Sequence, residues 1–121
     1  MSKKKKNKIE GNFAVIELNL ANSEAFKSLS INTKWLYMEF KLRFFGDNKH
    51  HIIFTYQEAI KIMNIRTFRK CRNKLIENGF IDIIKRGGFY KQPAIYGLSD
   101  RWKQYGMKDF VKVDIKNIEH L

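Results

Sequence analysis

At Gly79 the hydrophobic spacing of the chain changes from that of a helix to that of a strand. Residues 80–85 are mostly apolar and end at Gly87-Gly88, a pair that supplies the positive φ angles of a hairpin turn. Residues 89–98 then supply the returning strand. Before Gly79, apolar residues recur at the spacing of one buried helix face: Phe68, Cys71, Leu75 and Ile76. This part of the chain is therefore predicted to be a helix followed by a β-hairpin.

A shorter helix is predicted just before that one. Thr55 is a candidate N-cap with a glutamate three residues later, the pairing of a capping box. Asn64 tolerates a left-handed backbone and is expected to end the short helix. Thr67 is expected to cap the next helix, which runs to Asn78. Residues 64–66 then form a tight turn between the two helices.

The first half of the chain is predicted to be mainly helical. A long helix with a wide apolar face is expected to form the centre of the core. The predicted elements are a strand at 13–20, a brief helix capped by Asn22 or Ser23, the long helix from Thr33 to about Phe45, opened by Ser30 or Asn32, and a short strand at 52–54.

The chain of 121 residues has a formal net charge of +12, which points to a polyanionic partner. The excess lies in two segments. Residues 1–10 hold five lysines and one glutamate, and residues 61–91 hold nine basic and two acidic residues. The first segment is typical of a disordered arm, whereas the second coincides with the predicted helices and hairpin.

Basic and amide side chains occupy the polar face of the helix that begins at Thr67. An α-helix fits the major groove of B-DNA, where Arg and Lys pair with guanine and Asn with adenine. One basic residue, Arg72, lies on the apolar side of the helix and is expected to reach a carboxylate or a phosphate. The candidate DNA-binding residues are Arg66, Thr67, Arg69, Lys70, Asn73 and Lys74 on or before this helix, and Lys85, Arg86 and Lys91 in the hairpin.

This order of parts resembles the winged helix-turn-helix superfamily, and more narrowly the small winged-helix, replication-initiator-like domains of plasmids and phages. The similar segments are 13–20, 23–30, 67–68 and 75–81, and the resemblance covers about residues 13–102. It implies an α+β fold with a three-helix core and a β-hairpin wing. It further implies sequence-specific binding of double-stranded DNA by a transcriptional regulator or a replication accessory factor of a mobile element. Because few residues follow the wing, these roles are favoured over that of a stand-alone initiator.

The expected organisation is a basic disordered arm at 1–11, a winged-helix domain at 12–103 and a C-terminal extension at 104–121. Alternating apolar residues in the extension favour packing on the domain or a contact in a homodimer. No stretch resembles a signal peptide or a membrane span, so a cytoplasmic location is expected.

We expect no enzyme activity, metal or cofactor. The acidic residues are scattered, His50 and His51 are adjacent without a third ligand at zinc-like spacing, and Cys71 is the only cysteine. Two alternatives to DNA binding remain open. One is an RNA-binding winged helix, in which Phe89 and Tyr90 stack on bases. The other is an adaptor that binds a protein and whose charge serves solubility.

Overall fold

The computed structural model describes residues 13–88 and 92–113 and shows a mixed α+β fold. In these ranges five α-helices accompany an antiparallel sheet of three strands. The helices are α1 (Leu18–Ala21), α2 (Glu24–Lys27), α3 (Ile31–Leu42), α4 (Tyr56–Ala59) and α5 (Ile65–Glu77), and a 3₁₀ helix follows at Arg101–Gln104. The strands are β1 (Ile52–Ile53), β2 (Ile81–Lys85) and β3 (Ile95–Leu98). The predicted arm at 1–11 lies outside the described residues.

Hydroxyl side chains begin three of the helices, as the sequence predicted. Ser23 caps α2, and Ser30 caps α3 by accepting from a backbone N–H three residues on. Thr55 begins α4 with both halves of the capping box formed, since Glu58 Oε1 accepts from the Thr55 backbone N–H at 3.1 Å. That hydrogen bond, helped by the nearby guanidinium of Arg43, lowers the pKa of Glu58 below its usual value.

The long helix α3 ends three residues earlier than predicted, at Leu42 instead of about Phe45. The last turn tightens because Arg43 and Phe44 donate to carbonyls three residues back. Asn48 then holds the backbone that follows the helix, since its Nδ2 donates to the Arg43 carbonyl and its Oδ1 accepts from the Phe45 N–H. The spacing of apolar residues continues past Leu42, but the two hydrogen bonds of the Asn48 side chain end the helix.

The prediction of a strand at residues 13–20 was wrong. Residues 13–17 belong to no strand, and the rest of the segment enters helix α1. The alternation that suggested a strand is real, because Ala14 and Ile16 are half-buried while Phe13 and Val15 are exposed. The sheet, however, offers this segment no hydrogen-bonding neighbour.

The predicted roles of Asn64 and Thr67 were also wrong. Asn64 has an extended backbone (φ −70°, ψ 159°) and is the N-cap of α5, with its Oδ1 accepting from the Thr67 N–H at 2.8 Å. Asparagine suits both a left-handed position and an N-cap, and here the second role wins because the side chain satisfies a free N–H of the first turn. The helix therefore starts at Ile65, Arg66 lies within it, and the turn spans residues 60–63.

Strand β3 lies between β1 and β2, and both pairings are antiparallel. Tyr96 is opposite Ile52 on one side and Ile83 on the other. The predicted hairpin of β2 and β3 is confirmed, but its returning strand is Ile95–Leu98, and residues 92–94 belong to no strand. Residues 89–91 lie outside the described part of the chain.

The core joins α3, α5 and the sheet through aromatic side chains. The Phe40 ring of α3 lies 5.0 Å from that of Phe54 and 5.1 Å from that of Tyr96, and Phe54 lies 5.5 Å from Phe68 of α5. These rings are almost fully buried. At such distances and tilts aromatic pairs are stabilising, and they fix α5 against α3.

Residues after β3 pack against the end of α5. Trp102 is buried and stacks on Phe80, and its backbone N–H donates to the Gly79 carbonyl at 3.0 Å. Arg101 donates to a carbonyl at the end of α5, and Val113 also contacts the core. Within the described ranges, no helix has the length and apolar character that crossing a membrane requires.

Candidate nucleic-acid interface

Helix α5 separates its side chains by face. Its buried residues are Phe68, Cys71, Arg72, Leu75 and Ile76, at the spacing of a single helical face. The opposite face is basic, and its side chains follow the spacing i, i+3, i+4, i+7 and i+8. We call it the α5 cationic face, and it consists of Arg66, Arg69, Lys70, Asn73 and Lys74.

The α5 cationic face carries no carboxylate partner within the described ranges. The ion pairs found there involve Arg43, Lys49 and Arg101, none of which lies on α5. Arg66, Arg69, Lys70 and Lys74 are exposed. Four uncompensated positive charges on three turns of helix create a local positive potential, which attracts an anionic ligand. Thr67, the remaining predicted residue of α5, is half-buried in the first turn.

Arg72 is buried under this face, only 2% exposed. It was expected to reach a carboxylate or a phosphate, and this expectation was wrong for the described residues. Its Nε and Nη2 donate to Asn73 Oδ1, and its Nη1 donates to Tyr56 Oη, all at 3.2 Å. An amide and a phenol therefore satisfy this buried guanidinium.

The contact with Arg72 fixes how Asn73 presents its amide. Both lone pairs of Oδ1 face the two donors of Arg72, so the Nδ2 group is the part left to a ligand. The adenine pairing expected for this residue needs Oδ1 as an acceptor and Nδ2 as a donor. The geometry favours a ligand that offers acceptors alone.

Tyr56 belongs to the site, although no sequence pattern predicted this. It is the first residue of α4, and the Arg69 guanidinium carbon lies 5.5 Å from its ring centre. Burial raises the pKa of Tyr56, but hydrogen bonds to Arg72 and Arg69 and their charges outweigh this effect and lower it. Tyr56 is 16 residues from Arg72 in sequence, and only the packing of α4 on α5 brings them together.

Lys85 and Arg86 are exposed at the end of β2, where the chain leaves the sheet. At Gly87 a Cβ would lie 2.5 Å from the Ala94 backbone nitrogen, so only glycine allows the two arms of the loop to approach this closely. Gly88 has φ +103° and donates to the Gln92 carbonyl at 2.8 Å. The last predicted hairpin residue, Lys91, lies outside the described residues.

A groove of about 450 Å³ separates this loop from the start of α4. It is lined by Gly87 and Gly88 on one side and by Tyr56 on the other. Because Tyr56 also contacts Arg69, the loop that carries Arg86 and the α5 cationic face lie on the same side of the molecule. Eight of the nine predicted residues lie in the described part of the chain, six of them on α5 and two at the end of β2.

The described residues include no cluster of three or more His, Cys, Asp or Glu side chains placed to hold a metal ion. Cys71 is buried in the core side of α5. Comparisons with known proteins found no protein-family model, no curated protein and no solved structure that matches this chain.

Proposed function

We propose that this protein has a winged helix-turn-helix fold and binds double-stranded DNA with sequence preference, as a transcriptional regulator or replication accessory factor of a mobile element. The α5 cationic face is the observation that carries the proposal. Helices α3, α4 and α5 correspond to the three-helix core, and β2 with β3 corresponds to the wing. The small antiparallel sheet and the helix order are compatible with this assignment.

Helix α5 has the dimensions that major-groove binding requires. With its side chains it is about 10–12 Å across, close to the groove width of about 12 Å. Its 13 residues extend for about 20 Å. Arg66, Arg69 and Lys70 would lie near base edges, while Lys74 and the Lys85–Arg86 pair would contact phosphates on either side.

Two neighbours refine the roles of the basic residues. Tyr56 lies beside the Arg69 guanidinium and limits its motion, so less entropy is lost when Arg69 binds a base. Asn73 offers its Nδ2 group, which suits the O6 and N7 acceptors of guanine or a phosphate oxygen. The proposed site therefore favours G·C-containing sequences in the segment that faces Arg69 and Asn73.

Fluorescence anisotropy of a labelled random-sequence DNA duplex tests this proposal. Arg69→Ala with Lys70→Ala should weaken binding at least ~10-fold, because both positive charges lie on the α5 cationic face. Lys27→Ala with Lys108→Ala is the matched control, since it removes the same charge from exposed residues outside α5. Equal losses in the two double variants would refute a specific role for α5.

Competition with unlabelled duplex RNA of the same sequence separates the proposal from its first alternative. The narrow major groove of A-form RNA does not admit a helix, so duplex RNA should not displace DNA that is bound through α5. RNA that displaces the DNA at equal concentration would therefore identify an RNA-binding protein. Absence of DNA binding even at low salt would favour a protein adaptor. A site-selection experiment should follow a positive result and reveal the preferred bases.

A further inference from the structure

Helix α3 is apolar on two opposite sides. One side holds Leu36, Tyr37 and Phe40, which are buried in the core against α5 and the sheet. The other side faces outward, and we call it the α3 stripe. It consists of Ile31, Trp35, Met38 and Leu42, and of Phe45 just beyond the helix end. A contiguous apolar helix face normally packs against another surface.

The α3 stripe is exposed to a degree that is unusual for such large side chains. Ile31 is 83% exposed, Trp35 51%, Leu42 52% and Phe45 79%. Single exposed apolar residues are common on protein surfaces, but contiguous patches mark interaction sites. The stripe is continuous along the full 12 residues of α3.

The spacing along the stripe indicates what covers it. Along α3 its residues are separated by four, three and four positions, which is the spacing of the a and d positions of a coiled coil, and Phe45 follows just after the helix ends. Side chains at these positions interlock with the same positions of an identical helix, since each side chain fits a hole between four residues of the partner. The stripe is thus complementary to a second copy of itself.

The neighbouring surface supplies the area that a stable dimer needs. Phe13 and Val15 are also exposed and line one cleft of about 550 Å³ together with Leu42 and Phe45. If about 200 Å² is taken for each aromatic residue and somewhat less for Val15, Ile31 and Leu42, the exposed fractions of these residues with Trp35 leave on the order of 700 Å² of surface. A stable interface takes about 800 Å² from each partner.

Charges beside the stripe favour one orientation of two such helices. Lys34 and Glu39 flank the stripe on its two sides and are five residues apart. In a parallel pair this separation brings Lys34 of one copy next to Glu39 of the other, on both edges of the interface. In an antiparallel pair Lys34 would instead approach Lys41 of the other copy. Glu39 uses Oε1 for its bond with Arg43.

We propose that the α3 stripe is the interface of a homodimer, in which two copies of this chain pair their α3 helices in parallel. The stripe lies on the side of α3 that is turned away from α5. Dimerisation therefore leaves the α5 cationic face uncovered, and the dimer carries two such faces.

Analytical ultracentrifugation of the full chain without DNA, from about 1 μM to 1 mM, tests this proposal. The unmodified chain should reach twice the monomer mass, and Ile31→Glu should raise the dimer Kd at least ~10-fold, because it replaces an apolar side chain of the contact with a charged one. Ile60→Glu is the matched control, since Ile60 is 60% exposed and lies outside the stripe. A monomer at all concentrations, or equal Kd values for the two variants, would overturn the proposal.

Tryptophan fluorescence provides a second readout at the interface itself. Trp102 is buried within the fold and only 7% exposed, so the emission of Trp35 alone responds to dimerisation. Dilution below the Kd should shift the emission to the red in the unmodified chain and in Ile60→Glu. A dimer whose emission does not shift on dilution would use another surface and overturn the proposal. Because DNA is absent from both measurements, their failure is distinct from failure of the proposed DNA binding.

Discussion

Replacing Arg69 and Lys70 together with alanine should change the salt dependence of DNA binding by a defined amount. The two elements of the proposed interface carry six exposed basic side chains: Arg66, Arg69, Lys70, Lys74, Lys85 and Arg86. On a duplex of random sequence Arg66, Arg69 and Lys70 find no preferred bases, so they also contact phosphates, and each phosphate that a basic side chain neutralises releases condensed counterions. The slope of log K against log salt is about −0.9 per phosphate, so six contacts give about −5.4 and four give about −3.6.

These slopes predict distinct losses of affinity between 50 and 200 mM salt. The unmodified chain should lose about 2,000-fold in affinity over this range, and the double variant about 150-fold. The terminal arm holds five lysines, so both proteins should also be measured without residues 1–11. Anisotropy titrations at four salt concentrations give the slopes directly.

Two outcomes would refute this reasoning. An unchanged slope in the double variant would show that Arg69 and Lys70 neutralise no phosphates on this duplex. A slope that disappears when residues 1–11 are removed, but persists in the double variant, would show that the arm is the DNA contact and that the α5 cationic face is only a solvated surface.

Three further predictions concern stability. Asn78→Ala should lower the free energy of unfolding by about 1–3 kcal/mol, because the buried Nδ2 that donates to the Ala25 carbonyl is lost; urea denaturation measures this, and a change below ~0.5 kcal/mol would contradict it. Gly79→Ala should lower the melting temperature more than Gly88→Ala. Both glycines have a positive φ, but a Cβ at Gly79 would lie within 3 Å of backbone atoms, whereas a Cβ at Gly88 would meet nothing; equal shifts would contradict this. Because the pKa of Glu58 is lower in the folded than in the unfolded chain, its ionised carboxylate stabilises the fold at pH values above the unfolded pKa, and this stabilisation is lost as the pH falls through the folded pKa. The melting temperature of Glu58→Gln should therefore depend less on pH than that of the unmodified chain, which thermal scans between about pH 6 and pH 3 can test.

Helix starts could be predicted from sequence because capping is local. The hydroxyls of Ser23, Ser30 and Thr55 each reach a backbone N–H three residues on, so the spacing alone contains the information. Asn64 shows the limit of such reasoning. Its side chain can act at a helix end or at a helix start; here α4 already ends at Ala59, and Asn64 caps the start of α5.

Features that depend on distant residues could not be predicted. Whether the alternating residues 13–17 form a strand depends on a neighbour in the sheet, and none is available. In the candidate site, helical spacing was sufficient to place Arg69 and Lys70 on one face of α5. The same spacing contained nothing about Tyr56 or about the Arg72 bonds that fix the Asn73 amide, because these contacts form only in three dimensions.

Strand β3 is the last of the three strands along the chain, yet it lies between the other two. During synthesis on the ribosome, the backbone N–H and C=O groups of β1 and β2 therefore stay without their strand partner until residues 95–98 have been made. Until then, apolar side chains such as Ile52 and Ile81 lack the strand that they pack beside in the finished fold. A polypeptide released before residue 95 would leave these edges open, so proteases and chaperones can distinguish an incomplete copy from a finished one.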